Sequence, residues 1–324
     1  MNIIETQNLT KSYADFTAVS GINLHIPKGA VYGFLGPNGA GKSTTMNIMS
    51  GCLSATNGNV LINGHDIFSE PVKAKKLIGY LPETPPLYTE MTPREYLCFV
   101  SGAKGVKRTE RDKEIQRAID SAGIDSVKDR LICNLSKGYR QRVGIAQALI
   151  GQPEYIILDE PTVGLDPNQM IEIRELIRTL GKEHTVILSS HILSEVSNIC
   201  DKLLIISSGE IVASGSVDEL RHSLGEDIKI NAVFKSTDES NLLKLVSNID
   251  GVNSVNITSY SSDNCISLEI TALNDIRENI FFAAAENKTA IIEMNIKKPS
   301  LEEMFIELTS DNKKSTEENN VISI

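Results

Sequence analysis

Gly36-Pro37-Asn38-Gly39-Ala40-Gly41-Lys42-Ser43-Thr44 gathers the groups that a polyphosphate needs. Gly36, Gly41, Lys42 and Ser43 meet the spacing G-x-x-x-x-G-K-[S/T]. Glycines let successive backbone N–H groups turn inward and cradle phosphate oxygens. A helix that begins directly after such a loop points its positive dipole end at the same anion. In this arrangement Lys42 reaches the β- and γ-phosphates of ATP, and the Ser43 hydroxyl ligates Mg²⁺.

A second cluster supplies carboxylates. Ile156-Ile157-Leu158 runs straight into Asp159-Glu160-Pro161. An apolar strand that ends in acids places them at the C-terminal edge of a sheet, where open α/β sheets bind their ligands. Neighbouring side chains of an extended segment point different ways. Asp159 is therefore expected to face Mg²⁺ and Glu160 the attacking water. Two acids at a solvated strand end would read as surface; beside a phosphate loop they read as a hydrolytic pair.

The elements that must position these groups are legible. Val31–Leu35 is an apolar strand ending in the glycine-rich loop, and Lys42–Ser50 reads as the helix after it. Tyr155–Leu158 and Thr185–Ser189 read as buried parallel strands. Thr92-Pro93-Arg94-Glu95 has a capping residue, a proline at the first helical position and the glutamate of a capping box. Asp166-Pro167-Asn168-Gln169 repeats the logic, and the helix it starts carries Ile173, Leu176, Ile177 and Leu180 on one face. Strand and helix patterns alternate to about Arg221, which implies an α/β architecture. From Ile228 the rhythm changes to strand 228–235, helix 239–248, strand 252–259, strand 264–270, helix 274–287 and strand 290–296. That β-α-β-β-α-β order predicts a small α+β, ferredoxin-like domain. Near 300–309, Leu301, Met304, Phe305 and Leu308 predict a last helix with an apolar stripe. Ser310–Ile324 is polar and expected to be disordered.

The formal charge of −10 is uneven. Residues 1–224 hold 23 Lys and Arg against 25 Asp and Glu, and residues 225–324 hold 9 against 17. So acidic a second half disfavours nucleic acid as a partner. No stretch approaches the roughly 18 apolar residues of a membrane span, and no basic region precedes an apolar run at the N-terminus. The chain is expected to be soluble and cytoplasmic. Cys52, Cys98, Cys133, Cys200 and Cys265 lie far apart, without the spacing of a disulfide framework or zinc site; they are expected to be reduced and partly buried.

Leu135-Ser136-Lys137-Gly138-Tyr139-Arg140-Gln141-Arg142 narrows the field. Here the sequence resembles the ATP-binding subunits of ABC transporters, whose signature normally reads Leu-Ser-Gly-Gly-Gln. Leu, Ser and the second Gly are kept, while Lys137 and Tyr139 replace the first Gly and the Gln. Such variants resemble the bacterial drug-resistance and gliding-motility exporter branch, as does the ending Pro299-Ser300-Leu301-Glu302-Glu303-Met304-Phe305. The resemblance implies a P-loop NTPase fold of the ABC type over residues 1–222. It also implies a helical subdomain near 84–150, an accessory domain over 226–309 and the tail 310–324.

Further positions match in order. Tyr13 falls where the family stacks an aromatic ring on adenine, although a core tyrosine is the other reading. Asp166 matches a dimer-contact aspartate and can also simply cap its helix. His191, after Leu188-Ser189-Ser190, matches the switch histidine that senses γ-phosphate. Glu83 replaces the usual glutamine that links the nucleotide to the membrane partner; it can hold Mg²⁺ or its waters, or stand as a solvated loop residue.

By resemblance the chain works as a head-to-tail homodimer, with each ATP between one copy's P-loop and the other's Ser136 and Gly138. Ser136 can cap the helix containing Arg140–Ile150, whose exposed start attracts γ-phosphate. Lys137 can add positive charge there or point to solvent. Having no membrane segment, such a subunit would power a separate permease, docked near Glu83–Ala103, as an exporter peripheral to the inner face of the cell membrane. Tyr80, Pro85, Pro86, Leu87 and Tyr88 can supply apolar contact there or simply pack the loop. Two other readings stand beside this one: a soluble ABC ATPase acting on a ribosome or nucleic-acid complex, and a nucleotide-gated regulatory module with crippled hydrolysis. A single P-loop and signature, with Lys42, Asp159, Glu160 and His191 all present, weigh against both.

Overall fold

The computed structural model describes residues 3–223, 228–236, 238–261 and 264–297, and Phe305. The stripe expected over 300–309 lies outside the described residues except for Phe305, which is helical and half-buried; so does the segment 310–324. The chain divides into two compact units: one holds the residues up to Val217 together with Phe305, the other the described residues from Asp218 to 297.

The first unit is built on a six-stranded sheet. Its order is Glu210–Gly215, Lys202–Ser207, Val31–Leu35, Thr185–Ser190, Tyr155–Leu158 and Ile78–Leu81. All neighbours are parallel except the first pair. The residues of the strands Val31–Leu35, Tyr155–Leu158 and Thr185–Ser190 are buried throughout. Their near-continuous apolar runs are what a parallel sheet covered on both faces requires.

Parallel register gives this sheet one chemical edge. Leu35 pairs with Ser190, Leu158 with Leu188, and Leu81 with Leu158. The residues that follow these ends are Gly36, His191, Asp159 and Pro82-Glu83. Four separate segments thus deliver their polar groups to the same side.

A four-stranded antiparallel sheet, Phe16–Pro27, Ile3–Tyr13, Asn57–Ile62 and His65–Asp66 in order, shares its core with the parallel sheet. The helix Lys42–Met49 carries Met46, Ile48 and Met49, all fully buried in that core. Burial of this face holds the phosphate loop's helix in place, at about 1.5–3 kcal/mol per fully buried large apolar side chain.

The helices Pro93–Ala103, Arg111–Ala122 and Lys137–Leu149 pack on one another beside the sheet. Thr92 closes the expected capping box with Glu95, and Pro93 takes the first helical position. At the far end, Lys104 Nζ donates to the carbonyls of Gln147, Ala148 and Ile150 at 3.2, 3.2 and 2.8 Å. A cation on the last carbonyls of Lys137–Leu149 matches the negative end of that helix. Burial pulls the Lys104 amine down to about 8, against the opposing pull of Glu114.

The second unit has strands Ile228–Lys235, Val252–Ser261, Cys265–Ala272 and Ala290–Lys297, with helices Glu239–Ser247 and Arg277–Glu286. The antiparallel sheet order is second, third, first, fourth, which is the ferredoxin-like plan. Ile230, Ala232, Phe234, Ile266, Leu268 and Ile270 alternate onto one face and meet Leu242, Val246, Ile280 and Ala284 from the helices. The second helix starts later than the pattern predicts. The Asp275 carboxylate accepts from Arg277 N–H at 3.2 Å and pairs with the Arg277 guanidinium, which holds a turn ahead of the helix.

Burial corrects the expectation for three cysteines: Cys52, Cys98 and Cys133 are exposed, while Cys200 and Cys265 are half-buried. The first two exposed ones sit among loop or helix-surface positions, where composition carries no burial signal.

Candidate functional site

At the chemical edge lies a cavity of about 390 Å³. Tyr13, Asn38, Gly39, Gly41, Lys42, Ser43, Thr44, Glu83, Glu160 and His191 line it, together with Phe16, Ala18 and Val163. Gly36, Pro37 and Ala40 complete the loop around it.

The loop's glycines are required by its shape. Gly39 and Gly41 have φ of +81° and +105°, in the region that disfavours side chains. A Cβ on Gly41 would lie 2.4 Å from Ala18 O, and one on Gly36 2.4 Å from Ile206 O. Lys42 is buried, and its Nζ donates to Gly36 O at 2.8 Å and Pro37 O at 3.2 Å. Burial lowers the affinity of this amine for its proton, and the carboxylates of Glu160, Asp159 and Glu83 oppose that shift. An anionic phosphate would reinforce the carboxylates' side of this balance.

The acidic pair divides as its adjacency predicts. Asp159 Oδ1 accepts from Ser43 Oγ at 3.0 Å and from Ser189 Oγ at 2.6 Å. Glu160 turns the other way: Oε1 lies 3.8 Å from Lys42 Nζ and Oε2 2.9 Å from His191 Nδ1. Both acids are buried. Glu160 has φ of +47°, a left-handed conformation uncommon outside glycine and concentrated at functional sites.

Behind the loop, Asn47 Nδ2 donates to Ser43 O at 2.8 Å, and its Oδ1 accepts from Tyr80 OH at 3.1 Å. Burial, aided by the charge of Asp159, raises the Tyr80 phenol. Tyr80 is thus tied by its hydroxyl to the helix that follows the phosphate loop.

At the cavity mouth Tyr13 is exposed, with Lys11 Nζ 5.2 Å from the centre of its ring. This places a cation over the aromatic face. Phe16, Tyr13's cross-strand partner, is also exposed and was not singled out by the sequence. Its signal was available: two aromatics flank the tight turn Ala14-Asp15. Glu83 stands exposed at the rim, with no hydrogen-bond partner among the described residues.

Ser136, Gly138 and Asp166 lie outside this cavity. Ser136 Oγ accepts from Tyr139 N–H at 3.3 Å and caps the helix Lys137–Leu149. Asp166 Oδ1 caps Pro167–Leu180 by accepting from Gln169 N–H at 2.9 Å. The Lys137 side chain lies over the Gly164 turn, so that a Cβ on Gly164 would meet its Nζ at 2.2 Å. Lys137 is exposed, and its amine rests at the Gly164 turn of its own subunit.

Residues 19–163 match the family model described as "ABC transporter", and residues 215–309 match that of "ATP-binding protein DrrA1-3-like, C-terminal domain". The chain is 33% identical over 311 residues to the linearmycin resistance ATP-binding protein LnrL of Bacillus subtilis, covering 95% of this chain and 98% of that protein. The chain belongs to the ABC transporter family. It is an ATP-binding, ATP-hydrolysing member with a DrrA-like C-terminal domain. The daunorubicin/doxorubicin resistance ATP-binding protein DrrA of Streptomyces peucetius is 31% identical, over 97% of this chain and 95% of its own length. Among solved structures, the dimeric post-hydrolysis cassette MJ0796 bound to ADP and Pi aligns with a TM-score of 0.60 at 26% identity. That alignment covers 66% of this chain and 98% of the cassette.

A second, larger groove of about 1040 Å³ borders the three packed helices. Val72, Tyr80, Pro82 and Pro86 give it apolar surface. Lys75, Lys76, Lys104, Lys107, Lys113 and Arg117 line it against Glu110 and Glu114. Lys104 is used on helix carbonyls, Lys75 on Gly51 O, and Arg117 on Glu114. The Lys76, Lys107 and Lys113 side chains have no hydrogen-bond or ion-pair partner among the described residues.

Proposed function

We propose that this protein is the ATP-hydrolysing subunit of a bacterial ABC exporter and drives a separate membrane permease as a homodimer. The observation that carries the hydrolytic part is the division of the acid pair, Asp159 onto Ser43 and Glu160 between Lys42 and His191. In this reading Glu160 orients and polarises the attacking water, His191 holds the Glu160 carboxylate, and Lys42 exchanges its loop carbonyls for the β- and γ-phosphates. Gly36–Thr44 cradles the phosphates and Tyr13 meets the adenine. The Ser43 hydroxyl and the Asp159 carboxylate are hard oxygen donors at one point, a set that suits Mg²⁺; Glu83 stands on the same rim. Mg²⁺ would supply charge neutralisation for the transferring phosphoryl group. Positioning and electrostatics dominate such chemistry.

Ser136, Gly138 and Asp166 complete the site of a second copy in this proposal. Their separation from the cavity within one chain supports that reading. So does the dimeric state of the MJ0796 cassette. The permease reading draws on the relatives' names, and on the absence among the described residues of any helix long and apolar enough to cross a membrane. The basic groove supports docking beside the three helices. The protein then sits in the cytoplasm at the inner face of the membrane.

The test is co-expression with a candidate permease, a multi-span membrane protein from the same organism. The subunit is expected in the membrane fraction with that partner and in the supernatant without it. Equal membrane association in both cases overturns the permease reading.

A further inference from the structure

Where the strand Tyr155–Leu158 ends, the ladder gives out. Asp159 N–H still donates to Leu81 O at 2.9 Å across the sheet. The next amide, Glu160 N–H, donates to a side chain: Ser189 Oγ, at 2.7 Å. Ser189 is fully buried on the neighbouring strand Thr185–Ser190. A buried amide requires a partner, and this hydroxyl supplies it as the chain leaves the sheet.

The direction of each bond is fixed by chemistry. Glu160 N–H can only donate, so Ser189 Oγ accepts. Its one proton is then free for Asp159 Oδ1, 2.6 Å away, where an ionised carboxylate can only accept. Such charge-assisted bonds are short and strong. One hydroxyl thereby ties the backbone of Glu160 to the carboxylate of Asp159. The same Asp159 oxygen takes Ser43 Oγ, so the tie extends to the phosphate loop. The adjacent Ser190 hydroxyl accepts from Ile192 N–H at 3.0 Å, two residues along the chain.

The conformation being held is an uncommon one. At a φ of +47°, Glu160 stays only where its surroundings over-determine it. That backbone angle aims the side chain, and with it the contacts to His191 and Lys42. We propose that Ser189 is a positioning residue for ATP hydrolysis: its hydroxyl sets the aim of both Glu160 and Asp159 without touching the nucleotide. The inference rests on the assignment of Glu160 to the attacking water.

The full-length protein with Ser189→Ala tests it. Alanine removes one oxygen and leaves Glu160 N–H buried without a partner. Turnover is expected to fall about 10- to 100-fold, the scale of a small misplacement of a catalytic group, while KM for ATP stays within about threefold. Ser189→Thr, which keeps the hydroxyl, should recover most of the turnover. A kcat for S189A within twofold of the wild type, with only a lowered melting temperature, overturns the inference. So does an equal loss in S189A and in a folded S189T. If S189A does not fold, Ser189→Cys, whose thiol is a weak donor and acceptor, takes its place with the same two outcomes. Glu160→Gln separates the two readings. If that variant keeps full turnover, the Glu160 assignment fails whatever S189A does; if it loses turnover while S189A does not, only the positioning role falls.

Discussion

His191 Nδ1 stands 2.9 Å from Glu160 Oε2. Two residues from different strand ends meet there because the parallel register of the central sheet brings both strands to one edge. The imidazole holds one carboxylate oxygen and leaves the other toward Lys42. A carboxylate so oriented is suited to ordering a water, which is the task of the base in nucleotide hydrolysis.

Glu160→Gln keeps the size of the side chain and removes its basicity. We expect turnover to fall by at least about 100-fold, the lower end of a general-base contribution. ATP affinity should stay within a few-fold. With hydrolysis stopped, ATP should hold the protein as a dimer on size-exclusion chromatography. Undiminished turnover would sink the assignment.

His191→Ala tests the orienting contact. Losing the imidazole frees the Glu160 carboxylate to rotate, and a loosened base costs about 10- to 100-fold in turnover. If His191 acts through Glu160 as proposed, H191A in the E160Q background should add little further loss, as residues working as a unit are non-additive. Steady-state kinetics on the four proteins of the cycle decides it.

Much of this site could be read from the chain because its motifs are local. The loop Gly36–Thr44 and the pair Asp159-Glu160 are contiguous, so spacing alone suggests the roles proposed for them. Capping at Thr92 and Asp166 was legible for the same reason: a cap and its partner lie three residues apart. Ser189 was not legible. Its two partners lie 29 and 30 residues away, and a serine in a buried strand has no pattern that announces a tertiary bond. Tyr80 reads from the sequence either as an apolar contact or as loop packing; its ring lines the larger groove while its hydroxyl donates to Asn47, a tertiary bond that no local pattern announces. Lys137 could be placed only by tertiary contact, where it covers the Gly164 turn.

Gly41→Ala should break phosphate binding without unfolding the core. The added Cβ meets Ala18 O at 2.4 Å, at a φ of +105° that alanine avoids. The backbone must then shift where the loop's N–H groups are proposed to hold phosphate. ATP affinity is expected to fall at least about tenfold, equivalent to roughly 1.4 kcal/mol. Equilibrium titration with a fluorescent ATP analogue measures this, and circular dichroism confirms the fold.

Lys104 gives a pH signature. Its amine sits at about 8 in the fold, against 10.5 in the unfolded chain. Between those values the unfolded state binds more protons, so this residue's contribution to stability rises as pH climbs through that window. Burial disfavours the charged amine, and raising the pH removes that penalty. Lys104→Met should lose the rise. It should also cost about 1–3 kcal/mol near neutrality from carbonyls left without their donor. Denaturant melts of both proteins from pH 7 to 10 give the difference; parallel curves would refute it.

The groove tests the partner rather than the chemistry. Six cations against two carboxylates line it, in a chain whose net charge is −10. Lys76, Lys107 and Lys113 have no hydrogen-bond or ion-pair partner among the described residues, and exposed cations placed so can steer an acidic segment of the proposed permease. The triple variant Lys76→Glu, Lys107→Glu and Lys113→Glu leaves the cavity of the phosphate loop untouched, so ATP turnover by the isolated subunit should match the wild type. Capture of the permease in detergent should fall at least about tenfold, because like charges across an interface are strongly disfavoured. Wild-type capture should weaken with added salt, since exposed charges are screened within about 10 Å at 0.1 M. The variant's residual capture should not weaken in that way. Full capture by the triple variant would move the docking surface elsewhere on the subunit.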